Sequence, residues 1–148
     1  MATFNATDLN SKIRHMGAYG NATVTWGSVT PTTGVSGDIY RPMIIPAGVE
    51  VTDVDIVNDD LDSNAAPTIA CKVGYAPLNP ADGPAAVDDY FAAAGKTFLN
   101  AVGRTSLAFQ PIKFEKPVYL IVTLTASATT FASGKVTAIV KGDAAGIK

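Results

Sequence analysis

Along much of this chain apolar and polar residues alternate with a period of two, the spacing of a strand that buries one face. The pattern is densest from Gly37 to Ala76. Met43-Ile44-Ile45, then Pro46-Ala47-Gly48, then Val49-Glu50-Val51 read as a strand, a turn and the start of another strand. Val54 and Ile56 alternate with Asp53, Asp55 and Val57, and Asn58-Asp59-Asp60-Leu61-Asp62-Ser63-Asn64 breaks the pattern with turn-forming side chains. Ile69, Cys71, Val73 and Tyr75 resume it, with Thr68, Ala70, Lys72 and Gly74 on the other face. Val49 and Val51 are odd-numbered whereas Val54 and Ile56 are even, so the inward face changes parity near Thr52-Asp53. A β-bulge, a strand that crosses between sheets, or plain irregular alternation would each do this.

The final third repeats the strand pattern. Leu107 and Phe109 alternate, Pro111 interrupts, and Ile112 and Phe114 follow. Val118, Leu120, Val122 and Leu124 form the cleanest inward face, and Ile121 opposite them implies burial on both sides. Val136, Ala138 and Val140 make a last strand before a loose tail from Gly142. Between these blocks, Pro77 to Pro84 is a proline- and glycine-rich loop. Val87, Tyr90, Phe91, Ala94 and Phe98 then recur at spacings of three and four, which predicts an amphipathic helix capped by Asp88 and Asp89 and ended near Gly95. The first 33 residues are mostly Thr, Asn, Ser and Gly. Asp8 to Met16 suits a short helix, and Thr23-Val24-Thr25-Trp26 a brief strand with Val24 and Trp26 inward.

These blocks predict an all-β chain: a jelly-roll-like β-sandwich of seven or eight antiparallel strands with one short helix and an N-terminal arm. The expected division is an arm over residues 1–33, either an interaction segment or an edge strand, and a sandwich over 34–148. Ile56, Cys71, Val73, Leu120 and Val122 are the expected core.

At 148 residues one domain can bury a substantial core, and 47% hydrophobic with 16% charged residues argues against disorder. The formal net charge is −2 and the 11 Lys and Arg residues are scattered, so nothing offers the clustered cations that phosphate neutralisation needs. A single cysteine excludes an internal disulfide and fits synthesis in a reducing cytoplasm. Residues 1–21 lack the continuous apolar core of a signal peptide, and no apolar run is long enough to span a bilayer.

Gly37-Asp38, the apolar strand after it, Pro46-Ala47-Gly48-Val49, the VDIVNDDLD segment and CKVGYAP together resemble the capsid decoration and cement proteins of tailed bacteriophages. The likeness runs from about Gly37 to Gly103 and rests on glycine, proline and apolar patterning. It implies a jelly roll, a place on the outer surface of a virion and the major capsid protein as partner. The family carries no catalytic residues or cofactor to transfer.

Read residue by residue, the candidate chemistry is sparse. His15 is the only histidine and has no clustered thiol to share a zinc with. Cys71 lies on an apolar strand face, without the base or exposure a nucleophile needs. Asn58, Asp59, Asp60 and Asp62 would suit a hard cation, but the glycine and distal glutamate of a calcium loop are missing and such residues also make turns. No catalytic, cofactor or metal residue is therefore expected, and an enzyme is the least supported class. In the arm, Ile13, Met16 and Trp26 are the apolar positions expected to contact a partner, either the shell or a second copy in a homo-oligomer, a dimer before a trimer. The alternative is a carbohydrate- or receptor-binding module of a virion, with Trp26, Tyr19 and Tyr40 as sugar-stacking rings.

Overall fold

The computed structural model describes residues 1–6 and 22–147, with the backbone of 16–17 between them. The strands are β1 (Thr3–Asn5), β2 (Met16–Gly17), β3 (Ala22–Val29), β4 (Ile39–Ile45), β5 (Val49–Asn58), β6 (Ala70–Pro77), β7 (Val87–Lys96), β8 (Gly103–Ser106), β9 (Ile112–Phe114), β10 (Val118–Ala126) and β11 (Val136–Ala144). One sheet runs β1-β4-β10-β6-β7 and the other β2-β3-β11-β5-β8, with β9 continuing the β8 edge along β5. Every pairing is antiparallel except β1 with β4.

Taking β8 and β9 as one interrupted strand, the chain deals eight strands between two sheets in the orders β3-β11-β5-β8 and β4-β10-β6-β7. That is the double Greek key of a jelly roll. It arises because the strands with inward apolar faces, β5 and β10 above all, take central or near-central places while polar-edged β7 and β8 take the ends. Ile56, Cys71, Val73, Leu120 and Val122 are fully buried between the sheets, as their alternation predicts. Ile121, on the outer face of β10, is buried as well. Where parity changes in β5, the ladder to β11 steps from Asp53–Lys141 to Val51–Gly142. Thr52 is the extra residue, so the change is a bulge.

The expected helix over Val87 to Phe98 is absent; these residues form β7 and a single 3-10 turn, Phe98–Asn100. The reason lies in its pairing with β6. Cys71 faces Lys96, Val73 faces Ala92 and Tyr75 faces Val87, so β7 spends more residues than β6 between each pair. Those extra residues stretch the apolar spacing from two to three and four, which imitates a helical period. The outward bow passes over Gly74, where a Cβ would come within 2.1 Å of the Val87 carbonyl oxygen. Gly95, at φ 87°, belongs to the same irregular strand, and Asp88 pairs with Lys72 at 2.6 Å instead of capping a helix.

A prediction follows from that close approach. Gly74→Ala should lower the denaturant midpoint by the equivalent of about 3 kcal/mol, since the obstacle is backbone that a rotamer change cannot clear. Gly103→Ala, where a Cβ would meet nothing within 4 Å, is the control and should leave the midpoint in place.

β3 is a strand as expected, but with its faces reversed. Thr23, Thr25 and Val29 point inward, and Val24 and Trp26 point outward. The inner face has no room for large side chains because the Pro42 carbonyl of β4 lies 2.3 Å from where a Cβ on Gly27 would sit. Leu107 to Pro111 also departs from the expected strand. It is an irregular crossover between β8 and β9, with Phe109 stacked edge-on against Phe91 at 4.8 Å. Tyr75 meets Phe114 in the same way at 4.9 Å, so an aromatic cluster fastens β6 and β7 to the β8–β9 side.

Candidate interaction surface

The four loops 30–38, 59–69, 97–102 and 127–135 gather at one end of the sandwich: acidic or amide side chains tie 59–69 to 127–135 and Asn58 to 97–102, and the Ala128 and Ser36 N–H groups join 30–38 to 127–135. Asp62 is the hub. Its Oδ2 accepts the backbone N–H groups of Thr68 at 2.8 Å, Ile69 at 3.2 Å and Thr129 at 2.9 Å, and its Oδ1 accepts that of Thr130 at 2.8 Å. Burial alone would push this carboxyl up, yet the four amides outweigh it and hold it well below the usual carboxylate range. Asp59 Oδ2 accepts the Lys135 N–H at 2.7 Å, and Asn58 Nδ2 lies 3.0 Å from the Phe98 carbonyl and 2.9 Å from that of Ala101. Asp38 accepts from Ala2 N–H, Thr33 Oγ1 and Val35 N–H, so it anchors both the 30–38 loop and the start of β1. In Asp59 and Asp62 the segment that looked like a cation loop uses its oxygens on backbone amides. Among the described residues no group of three or more His, Cys, Asp or Glu is placed to hold a metal ion.

The outer face of the second sheet is built in cross-strand rows. Trp26, Ile139, Asp55 and Ser106 are register partners in one row. Val24, Lys141 and Asp53 share the next, and Met16 of β2 pairs with Val24. Trp26 is 50% exposed and Val24 44% exposed, which makes this end of the face apolar and open. At the other end Asp55, only 1% exposed, sits beneath the Arg104 guanidinium, the Ser106 hydroxyl and Lys141 Nζ at 3.2 Å, while Lys141 also reaches Asp53 at 2.6 Å. Two carboxylates and two cations neutralise one another here. On the remaining side of the sandwich, an open cleft of about 320 Å³ separates β7 from β8.

Acid should expose these carboxylates. Arg104 and Ser106 hold the Asp55 carboxyl down, against burial and with help from Lys141, at about 2. Asp38 is also lowered: burial pushes it up, and hydrogen bonds from Ala2, Thr33 and Val35 prevail. In the unfolded chain such groups take up protons near their ordinary value of 3.8. The unfolded state therefore binds more protons between about pH 4 and pH 2, and folding stability falls as pH drops through that window. Denaturant melts at successive pH values should show full stability above about pH 4 and progressive loss below it. Equal midpoints at the two ends of that window would contradict the clamp geometry.

The sequence-based candidates end up in different places. Ile13, His15 and Tyr19 lie outside the described residues, as does the expected helix start at Asp8; of Met16 only the backbone in β2 is described. Trp26 is on the outer face of the second sheet. Tyr40 is buried inside the first, its hydroxyl donating to the Thr33 carbonyl at 2.8 Å, so it cannot form a sugar-stacking platform with Trp26. Cys71 is buried in the core, where burial pushes its thiol up to about 12, far from a reactive thiolate. Sequence reasoning missed the Asp55–Arg104–Lys141 cluster, whose members are 49 and 86 positions apart from Asp55.

No protein-family model and no curated protein matches the chain. Solved structures do. A chain in the capsid of Ralstonia phage GP4 superposes with a TM-score of 0.73 at 20% identity, covering 96% of this chain and 98% of that one. One in the capsid asymmetric unit of cyanophage Pam1 gives 0.60 at 24% identity, over 89% and 92%. One in the acidic stable capsid structure of Helicobacter pylori bacteriophage KHP30 gives 0.57 at 13% identity, over 86% and 91%. The chain thus shares, over nearly its whole length, a jelly-roll fold found in phage capsids.

Proposed function

We propose that this chain is a structural virion protein that binds the outer surface of a phage capsid and stabilises it by bridging neighbouring major capsid protein subunits. The observation that carries the reading is the near full-length likeness to chains of three phage capsids, with 96% coverage in the first of them. One feature of the molecule agrees with it: its buried carboxylates are spent on structure, Asp38 and Asp62 on loop amides and Asp55 on Arg104, Ser106 and Lys141 across the second sheet. A rigid domain of that kind acts by contact, and many weak contacts around a closed shell add by avidity.

The contact surface in this reading is the apolar end of the second sheet's outer face together with the N-terminal residues beside it. Ile13, Met16 and Trp26 are its anchors, within an interaction segment over residues 1–33. Self-association as a dimer would place two such faces at a local symmetry axis. Trp26→Asp tests this. The residue is half exposed on a strand, so unfolding stability should fall by about 1 to 2 kcal/mol, leaving the protein folded. Affinity for purified heads should fall about tenfold or more, because a buried tryptophan is a typical interface anchor. Unchanged head binding would remove Trp26 from the contact.

A further inference from the structure

We propose that the mouth of the sandwich between β7 and β8 receives an extended, carboxylate-bearing segment of a partner protein, which adds as a strand to β8. The inference does not depend on the capsid reading; it rests on how the two sheets end. On one side β1 and β2 extend the sheets beyond β4 and β3, whereas on the other β7 and β8 are themselves the last strands. Leu107 N–H donates to the Val54 carbonyl at 2.9 Å, and Arg104 faces Val57 while Ser106 faces Asp55. In an antiparallel ladder bonded and non-bonded positions alternate. Thr105 and Leu107 therefore bond inward to β5, and the N–H and C=O groups of Arg104 and Ser106 face away from it. β7 offers no matching ladder, because its register breaks twice and Gly95 at φ 87° bends it.

The cleft beside this edge gives side-chain selectivity. Its apolar floor is Phe91, Ala92 and Leu107, all buried, and its rim carries exposed Lys96. Lys96 is the one charged residue among those lining the cleft, and no acidic residue accompanies it. An incoming strand bonded to Arg104 and Ser106 would turn alternate side chains toward the cleft. A small or medium apolar side chain fits above Phe91 and Leu107, and a carboxylate nearby meets the Lys96 ammonium.

Amide-resolved NMR titration of the full chain tests this with three blocked peptides: Thr-Val-Thr-Val-Asp, the same sequence ending in Lys, and the acidic peptide N-methylated at alternate residues. The acidic peptide should perturb the amides of Lys96, Arg104 and Ser106 in the millimolar range. It should bind about two- to fivefold tighter than the lysine peptide, the worth of an exposed ion pair. Lys96→Glu should reverse that order, and N-methylation should abolish binding. The proposal is overturned by no perturbation of these amides, by equal binding of the methylated peptide, or by a Lys96→Glu variant that keeps the acidic preference. Shifts of the same amides with protein concentration alone would also overturn it, since a second copy would then hold the edge.

Discussion

Replacing Asp62 with alanine is expected to destabilise the protein by about 3 to 5 kcal/mol, because it leaves several backbone donors without an acceptor at about 1 to 3 kcal/mol for each one that stays buried. The carboxylate is buried and accepts four backbone N–H groups from two loops that are far apart in sequence, 68–69 and 129–130. Alanine leaves those donors facing one another across a void. Water can reach the outer ones, near Thr129 and Thr68, but the Ile69 amide belongs to a fully buried residue. Asp62→Asn should also be destabilising, because the amide nitrogen would oppose donors that the second carboxylate oxygen now satisfies. Thermal melts of both variants decide the matter. Treating the wild-type protein with a chelator gives the complementary result: an unchanged melt is expected. A chelator-induced loss of stability restored by calcium would make the segment a cation site and overturn the clamp account.

The second large effect is at Leu120. It lies in β10, between β4 and β6, opposite Met43 on one side and Tyr75 on the other, and it is fully buried. Leu120→Ala removes apolar area and leaves a cavity that flanking strands cannot close without breaking their ladders. The cost is about 2 to 5 kcal/mol, or roughly 6 to 20 °C in melting temperature for a domain of this size. Thr123→Ala, on the opposite face of the same strand, is the comparison and should shift the melt far less. A Leu120→Ala melt indistinguishable from wild type would mean that β10 does not bury this face.

What the sequence disclosed follows the physics of alternation. β5 and β10 lie within their sheets and pack one face against the core, so Val54, Ile56, Leu120 and Val122 announce themselves with a period of two. The parity change near Thr52 was legible, but only the ladder to β11 shows that it is a bulge and not a crossing strand or irregular alternation. β7 was illegible for a related reason: its extra residues moved Val87, Phe91 and Ala94 onto a helical spacing, and nothing local says that Gly74 opposite makes room for the bow. The outward turn of Trp26 depends on the Pro42 carbonyl pressing on Gly27, a contact between strands. Asp55 read only as a residue alternating with Val54 and Ile56 on a strand, since its partners are supplied by register with β8 and β11. The acidic turn was recognised as a turn, but its role as a clamp depends on amides from residues 129–130.

The most direct test of the capsid reading is a heat challenge of phage heads prepared with and without this protein. Heads should assemble without it. Adding the purified chain back should give co-sedimentation at a fixed stoichiometry per shell subunit and should raise the temperature at which packaged DNA is released. Absence of co-sedimentation, or release at the same temperature with the protein bound, would contradict a stabilising role on the capsid.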